Sequence, residues 1–257
     1  MGTSATIAHF CFVYNGVKPF ELGKGNPPQT KKIVTEQPFV VEGKRPAGKD
    51  WLPLLRGSLI QRYSLLWQKD YWIKYGPWLA APRDQRIFDA DDKIMVRQTG
   101  DRIIAARIPA GFIARNNLHI LICRPDVDAR FILAILNSRL TDFVYSIMNP
   151  EKGEALAEVK KMHVEQLPVK TIDDPRSRDL VPKIIICVDQ ISELTSALQK
   201  ARSPQDQGNI QRRIDAADHQ LNQLVYQLFG LSERDIQTIE RSDQDVEPKE
   251  LAPVISS

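Results

Sequence analysis

The apolar residues of this 257-residue chain change their spacing near Pro125, and that switch limits the possible folds more than any other feature. Before it, they come in short β-branched and aromatic runs broken by turn residues, the pattern of strands. After it, they recur every three or four residues, the pattern of helices that bury one stripe. The chain thus reads as strands up to that point and as helices beyond it.

In the first part, residues 5–14 predict a strand that ends at Asn15-Gly16, a dipeptide suited to a tight turn. Gly23-Lys24-Gly25-Asn26-Pro27-Pro28 predicts a loop, residues 38–41 a short strand and residues 43–49 a basic loop. Residues 94–98 and 102–108 flank Thr99-Gly100-Asp101 and predict a β-hairpin; residues 112–114 and 118–123 continue the β character. Beyond the switch, Phe131, Ile132, Ile135, Leu136, Leu140, Phe143 and Val144 predict two short helices broken at Asn137-Ser138. Residues 154–161 form a short charged segment, and Leu167-Pro168-Val169 leads out. A seam of Ile184, Val188, Ile191, Leu194 and Leu198 then predicts a long helix from near Pro175. Ser203-Pro204 interrupts it, and Ile210, Ile214, Leu221, Leu224, Val225 and Leu228 form a second seam that stops at Gly230, a natural C-cap. Two long helices with a short break favour an antiparallel hairpin. Residues 231–241, with Ser232 as N-cap, predict a short last helix. The expected organisation is α+β: a mixed α/β unit with short helices over residues 1–170, an antiparallel α-helical hairpin region over 171–242, and a flexible acidic tail over 243–257.

Charge divides along the same boundary. Residues 1–170 carry 25 Lys and Arg against 17 Asp and Glu, a net +8, whereas residues 171–257 carry 10 against 15, a net −5. A basic unit followed by an acidic one points to a nucleic-acid-facing part and an appendage that faces elsewhere. No apolar run approaches the roughly 18 residues of a membrane span, and the N-terminus lacks a signal-peptide pattern, so a cytoplasmic protein is expected. Cys11, Cys123 and Cys187 are far apart and form no CxxC pair, so each reads as a small buried hydrophobe rather than part of a disulfide framework or zinc site. The four histidines show no ligand spacing, and His119, inside an alternating apolar run, is expected in the core. Gly-x-Ser-x-Gly and Walker motifs are absent from the sequence.

Residues that could touch nucleic acid concentrate in the basic part. Arg83 and Arg86 in one loop, Lys44 and Arg45 in a second, and the Arg115-Asn116-Asn117 corner offer cations and amides suited to phosphates or base edges. Lys24, Lys31, Lys32, Arg56, Arg62, Lys160 and Lys161 are candidates for phosphate contact. In the expected hairpin, Arg97, Gln98 and Arg102 could read bases from a β-ribbon, with Arg97 and Gln98 on opposite faces; for Arg97 an anchoring role in the hairpin is favoured. Tyr63, Trp67, Tyr71, Trp72, Tyr75 and Trp78 could stack on bases, but core packing is the favoured reading. Glu36, Glu42 and Lys44 mimic the end of a Mg²⁺-dependent nuclease motif, in a pattern short enough to arise by chance.

Several segments, taken in order, resemble the C-terminal specificity (target-recognition) domain of TaqI-like, type IIG-like restriction–modification adenine methyltransferases, which is related to type I specificity subunits. They are Gly23 to Thr30, Leu52-Pro53-Leu54-Leu55-Arg56-Gly57, Tyr71-Trp72-Ile73-Lys74-Tyr75-Gly76 and Ile94-Met95-Val96-Arg97-Gln98-Thr99-Gly100. Asn116-Asn117-Leu118-His119, Leu133-Ala134-Ile135-Leu136-Asn137-Ser138, Val159-Lys160-Lys161 and Gln166-Leu167-Pro168-Val169 follow, and Leu224 to Leu231 resembles the helical close of the same enzymes. The resemblance implies that residues 1–170 recognise a short double-stranded DNA sequence. It implies that the helices dock a methyltransferase domain or second subunit through their Ile/Leu seam. The chain by itself is then non-catalytic, with S-adenosylmethionine, and any Mg²⁺, held by a separate catalytic portion. Asn26-Pro27-Pro28-Gln29 mimics the adenine methyltransferase motif that holds a flipped base, but Gln29 stands where an aromatic residue would stack, so it is read as a loop of the recognition domain. Two other functions are weighed beside this one: a small Mg²⁺-dependent nuclease, and a DNA-independent helical interaction module.

Overall fold

The computed structural model describes residues 4–149, 157–171 and 175–244. In chain order the elements are β1 (Ser4–Thr6), α1 (Ile7–Phe10), β2 (Cys11–Asn15), α2 (Lys31–Glu36), β3 (Val40–Glu42), β4 (Trp51–Leu55), β5 (Ile60–Gln61), β6 (Ser64–Leu65), β7 (Tyr71–Lys74) and α3 (Arg86–Asp89). Then come β8 (Lys93–Arg97), β9 (Ala105–Ile108), β10 (Ile113–Ala114), β11 (Leu118–Cys123), α4 (Ala129–Leu136), α5 (Arg139–Met148), α6 (Lys161–Gln166), β12 (Pro168–Lys170), α7 (Pro175–Lys200), α8 (Pro204–Phe229) and α9 (Glu233–Gln244).

The centre is a sheet in the order β2-β11-β8-β9, antiparallel throughout. Its strands alternate between two cores, which is why they read as nearly unbroken apolar runs. Ile94, Val96, Ala105 and Leu121 face the helices, whereas Met95, Ala106, Ile108 and Ile120 face a second core. That second core is closed by the sheet β10-β4-β7-β3, in which β10 runs parallel to β4 and the other pairs are antiparallel. Trp67 sits edge-on to Trp72 (5.2 Å) and Phe112 (5.0 Å), and Tyr63, Tyr71 and Trp72 are buried. The aromatic stretch therefore packs as core.

The expected hairpin forms, with Lys93 opposite Ile108 and Val96 opposite Ala105. Lys93 is fully buried beneath it, and its ammonium donates to Phe88 O (2.8 Å), Ala90 O (3.1 Å) and Pro109 O (2.5 Å). Burial pushes Lys93 down to about 8, and the three carbonyls supply the partners a buried ammonium needs.

The helix break at Asn137-Ser138 also forms. Ser138 caps α5 by accepting from Thr141 N–H, and the Asn137 amide both accepts from Ala105 N–H and donates to Ala105 O (3.0 Å each). That side chain stands in for a missing strand, tying the helix pair to β9. Among the described residues no single helix is long and apolar enough to cross a membrane; α4 and α5 pass that test only as a pair bent by 60°, and every residue of α4 except Arg130 is buried in the core.

Three expectations need correction. Residues 5–14 are not one strand: β1 pairs with β12 (Ala5 opposite Val169) while β2 pairs with β11, so the chain changes ladders through the turn α1. Asn15-Gly16 makes no hairpin; there the chain crosses closely over residues 114–115, where a Cβ on Gly16 would lie 2.1 Å from Arg115 O. The Ile/Leu seam of the hairpin does not await a partner. Ile184, Val188, Ile191, Leu221, Val225 and Leu228 are buried with Phe131, Ile132 and Ile135 of α4 in one core. The short helix α2 was invisible to periodicity because none of its residues is buried. The expected tail over 243–257 lies almost wholly outside the described residues, since α9 ends at Gln244.

Candidate nucleic-acid interface

At the end of the central sheet where β2 runs out, the segment 157–160 lies beside the start of the β8–β9 loop. Gly100 N–H donates to Ala157 O (3.1 Å) and Val159 N–H to Gln98 O (2.7 Å). Between this segment and the loops before β11 and after β2 opens a groove of about 310 Å³, lined by Asn15, Lys18, Arg83, Gln98, Asn116, His119, Glu158, Lys160 and Lys161. Five candidates from distant parts of the sequence thus meet: Arg83, Gln98, Asn116, Lys160 and Lys161. Sequence reasoning missed Asn15, taken for a turn residue, and Lys18, a single lysine in an unremarkable run.

The floor of the groove is fixed by His119, which is 2% exposed. Its Nε2 lies 2.7 Å from Val159 O, so Nε2 carries the proton and donates. Nδ1 lies 3.0 Å from Asn15 Oδ1 and 3.4 Å from Gln98 Nε2. Burial lowers the His119 pKa, opposed by the Val159 carbonyl bond, and a neutral ring accepts at Nδ1 from Gln98 Nε2. The imidazole is a core group anchored to Val159 O, and what it does for the groove is hold Gln98 in place.

The cations at the rim are held loosely. Lys18 pairs with Glu21 at 2.8 Å and Lys161 with Glu165 at 3.2 Å, all four side chains at least one-third exposed. Arg83, in a left-handed backbone conformation (φ 66°), donates from Nε to Gly16 O (3.1 Å). Exposed pairs of this kind exchange partners at little cost, so their charge remains available to a phosphate.

The remaining candidates do not line the groove. Arg62 is spent inside the fold: it donates to both Asp218 oxygens (2.7 and 3.4 Å) and to Asn137 O (2.7 Å), clamping α8 to the helix break. Arg97 donates from Nε to Ile60 O (2.6 Å), which is an anchoring role. Arg56 pairs with Glu42 (2.7 Å) and lies over the Tyr71 ring (4.9 Å), while Arg115 donates to Tyr71 Oη (2.7 Å). Asn117 accepts from Gly57 N–H (3.3 Å), so the 115–117 corner sends only Asn116 to the groove. Arg45 lies over Trp72 and donates to Trp51 O. Arg86 pairs with Asp84, and Lys32 with Glu36 at 3.9 Å; Lys24, Lys31 and Lys44 are exposed elsewhere, and Arg102 is half-buried in the β8–β9 loop.

The Asn26-Pro27-Pro28-Gln29 segment is a structural loop. Gln29 is 2% exposed, donates from Nε2 to Pro19 O and Trp78 O (2.8 Å each) and accepts from Glu21 N–H (2.9 Å). Gly25 (φ 89°) fits beneath it because a Cβ would meet Trp78 O at 2.4 Å. The nuclease-like residues do not converge either: Glu42 is committed to Arg56, and no three His, Cys, Asp or Glu among the described residues group as metal ligands.

Comparison with known proteins gives a family match and similar solved structures. Residues 52–169, from β4 to β12, match the family model of the TaqI-like C-terminal specificity domain. Among solved structures, the type IIL restriction-modification enzyme MmeI in complex with DNA is similar in fold, with a TM-score of 0.50 and 10% identity over 95% of this chain and 37% of that one. The type I restriction-modification S subunit from M. genitalium matches with 13% identity and a TM-score of 0.42, over 77% of this chain and 41% of its own. The HsdS subunit from Thermoanaerobacter tengcongensis gives 12% and 0.36, over 88% and 44%. This chain therefore spans less than half the length of each of these proteins. No curated protein matches the sequence. Over residues 52–169 the chain is thus similar to the TaqI-like C-terminal specificity domains.

Proposed function

We propose that this chain reads a short double-stranded DNA sequence as the specificity part of a restriction–modification system. The observation that carries the reading is the groove, where three amides (Asn15, Gln98, Asn116) sit among four cations (Lys18, Arg83, Lys160, Lys161). Amide side chains pair in a bidentate way with adenine in the major groove, and loosely held lysines hold phosphates and fix register. The match of residues 52–169 to a specificity-domain family model and the fold similar to that of an enzyme solved on DNA support the assignment.

In this proposal the chain is non-catalytic by itself. Methyl transfer to adenine N6, with its S-adenosylmethionine and any Mg²⁺, belongs to a separate methyltransferase domain or subunit of a type IIG-like or type I-like enzyme. Because the seam of α7 and α8 is covered by α4, that partner docks on the outward faces of the two helices. Residues 1–170 supply the recognition and residues 171–242 the docking.

The test is selection from a randomised duplex library on the immobilised chain at low salt, followed by sequencing. Enrichment of one short motif, lost in Gln98→Ala and Asn116→Ala, supports the reading. Recovery of DNA without enrichment overturns sequence reading by this chain alone, and no recovery overturns DNA binding.

A further inference from the structure

Cys11 and Cys123 stand 112 positions apart in sequence yet face each other across the β2–β11 ladder, with their Sγ atoms 3.1 Å apart. The neighbouring hydrogen bonds identify the kind of pair. Arg124 N–H donates to Phe10 O, one step along the register, and Gly16 N–H donates to Leu118 O, five steps the other way. Ladder bonds alternate, so Cys11 and Cys123 form a non-hydrogen-bonded pair, in which Cα atoms approach to about 4.5 Å. That separation lies within the span a disulfide bridges.

Both thiols are free, and they differ in access. Cys11 is 2% exposed, and its thiol is pushed up by its bond to Cys123 and by burial. Cys123 is half-buried and lines a cavity of about 480 Å³. That cavity holds Asp91, Asp92, Asp128 and Asp189 against Arg107 and Arg130, a net negative lining that repels anionic oxidants such as glutathione disulfide and admits small uncharged ones.

We propose that Cys11 and Cys123 are a thiol-oxidation site that a small uncharged peroxide closes to a cross-strand disulfide. The Cys123 sulfur attacks one peroxide oxygen; the S–O bond forms as the O–O bond breaks, and the thiol proton leaves with the other oxygen as water. The Cys11 sulfur then attacks the sulfenic sulfur of Cys123, the S–S bond forms as the S–O bond breaks, and a second water carries off the hydroxyl and the Cys11 proton. Two electrons pass from the pair of thiols to the peroxide. The bond pins β2, at the edge of the central sheet among the described residues, to its neighbour β11. The far end of β2 is Asn15, so the same ladder carries the groove.

The experiment treats the intact folded chain with hydrogen peroxide. The free-thiol count of the chain, read after denaturation, is expected to fall from three to one, with a peptide cross-link between residues 11 and 123 that dithiothreitol reverses. The unfolding midpoint of the oxidised chain rises, because the cross-link restricts the unfolded state across a long loop. In Cys11→Ala, Cys123 accumulates a sulfenic acid that dimedone traps, whereas the unaltered chain shows none. In Cys123→Ala, Cys11 stays reduced. A count that stays at three, loss of a single thiol without a cross-link, or oxidation of Cys11 in Cys123→Ala each overturns the proposal.

Discussion

Gln29 shows how one residue can lose a motif's chemistry and acquire a structural task. Its amide replaces three solvent partners with two carbonyls and one N–H of surrounding loops. Gln29→Ala strands those groups, and the expected loss is about 2–3 kcal/mol of folding stability, read as a lower denaturant midpoint at unchanged slope. His119 carries a pH signature of its own. Burial holds its folded pKa below the ordinary 6.5, so the folded state favours the neutral ring. Its stabilising contribution is full above 6.5, falls as the unfolded chain takes up a proton below 6.5, and levels off beneath the lowered folded value. Thermal unfolding followed through that window should show a midpoint that drops on acidification, and His119→Gln should flatten that part of the curve; an unchanged curve would contradict the assigned neutral ring. Burial of His119 was legible in the alternation of residues 118–123. Its link to Asn15 was not, because the two are joined only by strand register.

Between elements, the contacts that fix the helices to the sheets are polar pins at the edge of an apolar interface. Arg62 reaches from the loop between β5 and β6 to Asp218 on α8 and to the helix break at Asn137. Arg130 of α4 similarly pairs with Asp128 and, at 2.8 Å, with Asp189 on α7. A double-mutant cycle of Arg62→Met and Asp218→Asn is expected to give a coupling of about 1–3 kcal/mol, since the partners share one geometry and little solvent. Coupling near zero would mean that the pair is mere surface charge. In the sequence Arg62 looked like any other cation of a basic stretch; composition cannot distinguish an arginine that faces phosphate from one that faces a carboxylate 156 positions away.

At the scale of the whole molecule, the helical region and the α/β unit share a core, so neither is expected to behave as an independent piece. A chain ended at residue 170 would expose Phe131, Ile132 and Ile135 of α4, which α7 now covers. It is expected to be aggregation-prone or to lose its cooperative unfolding transition, as calorimetry and light scattering would reveal; a monomeric fragment with a sharp transition would refute the shared core. For DNA, Lys18→Ala and Lys160→Ala should each weaken binding similarly across sequences and reduce the slope of log affinity against log salt by about 1, as measured by titration at several salt concentrations. The sequence by itself determined the elements whose signal is local: the 93–108 hairpin, the helix break at Asn137-Ser138, and the long helices capped at Ser203 and Gly230. Periodicity and capping are properties of neighbours in the chain, so they can be read there. Only the tertiary structure decided which cations gather at the groove, that the hairpin seam closes on α4, and that Cys11 meets Cys123. Those outcomes depend on register and on layers packed from distant segments, which set contacts that local patterns do not encode.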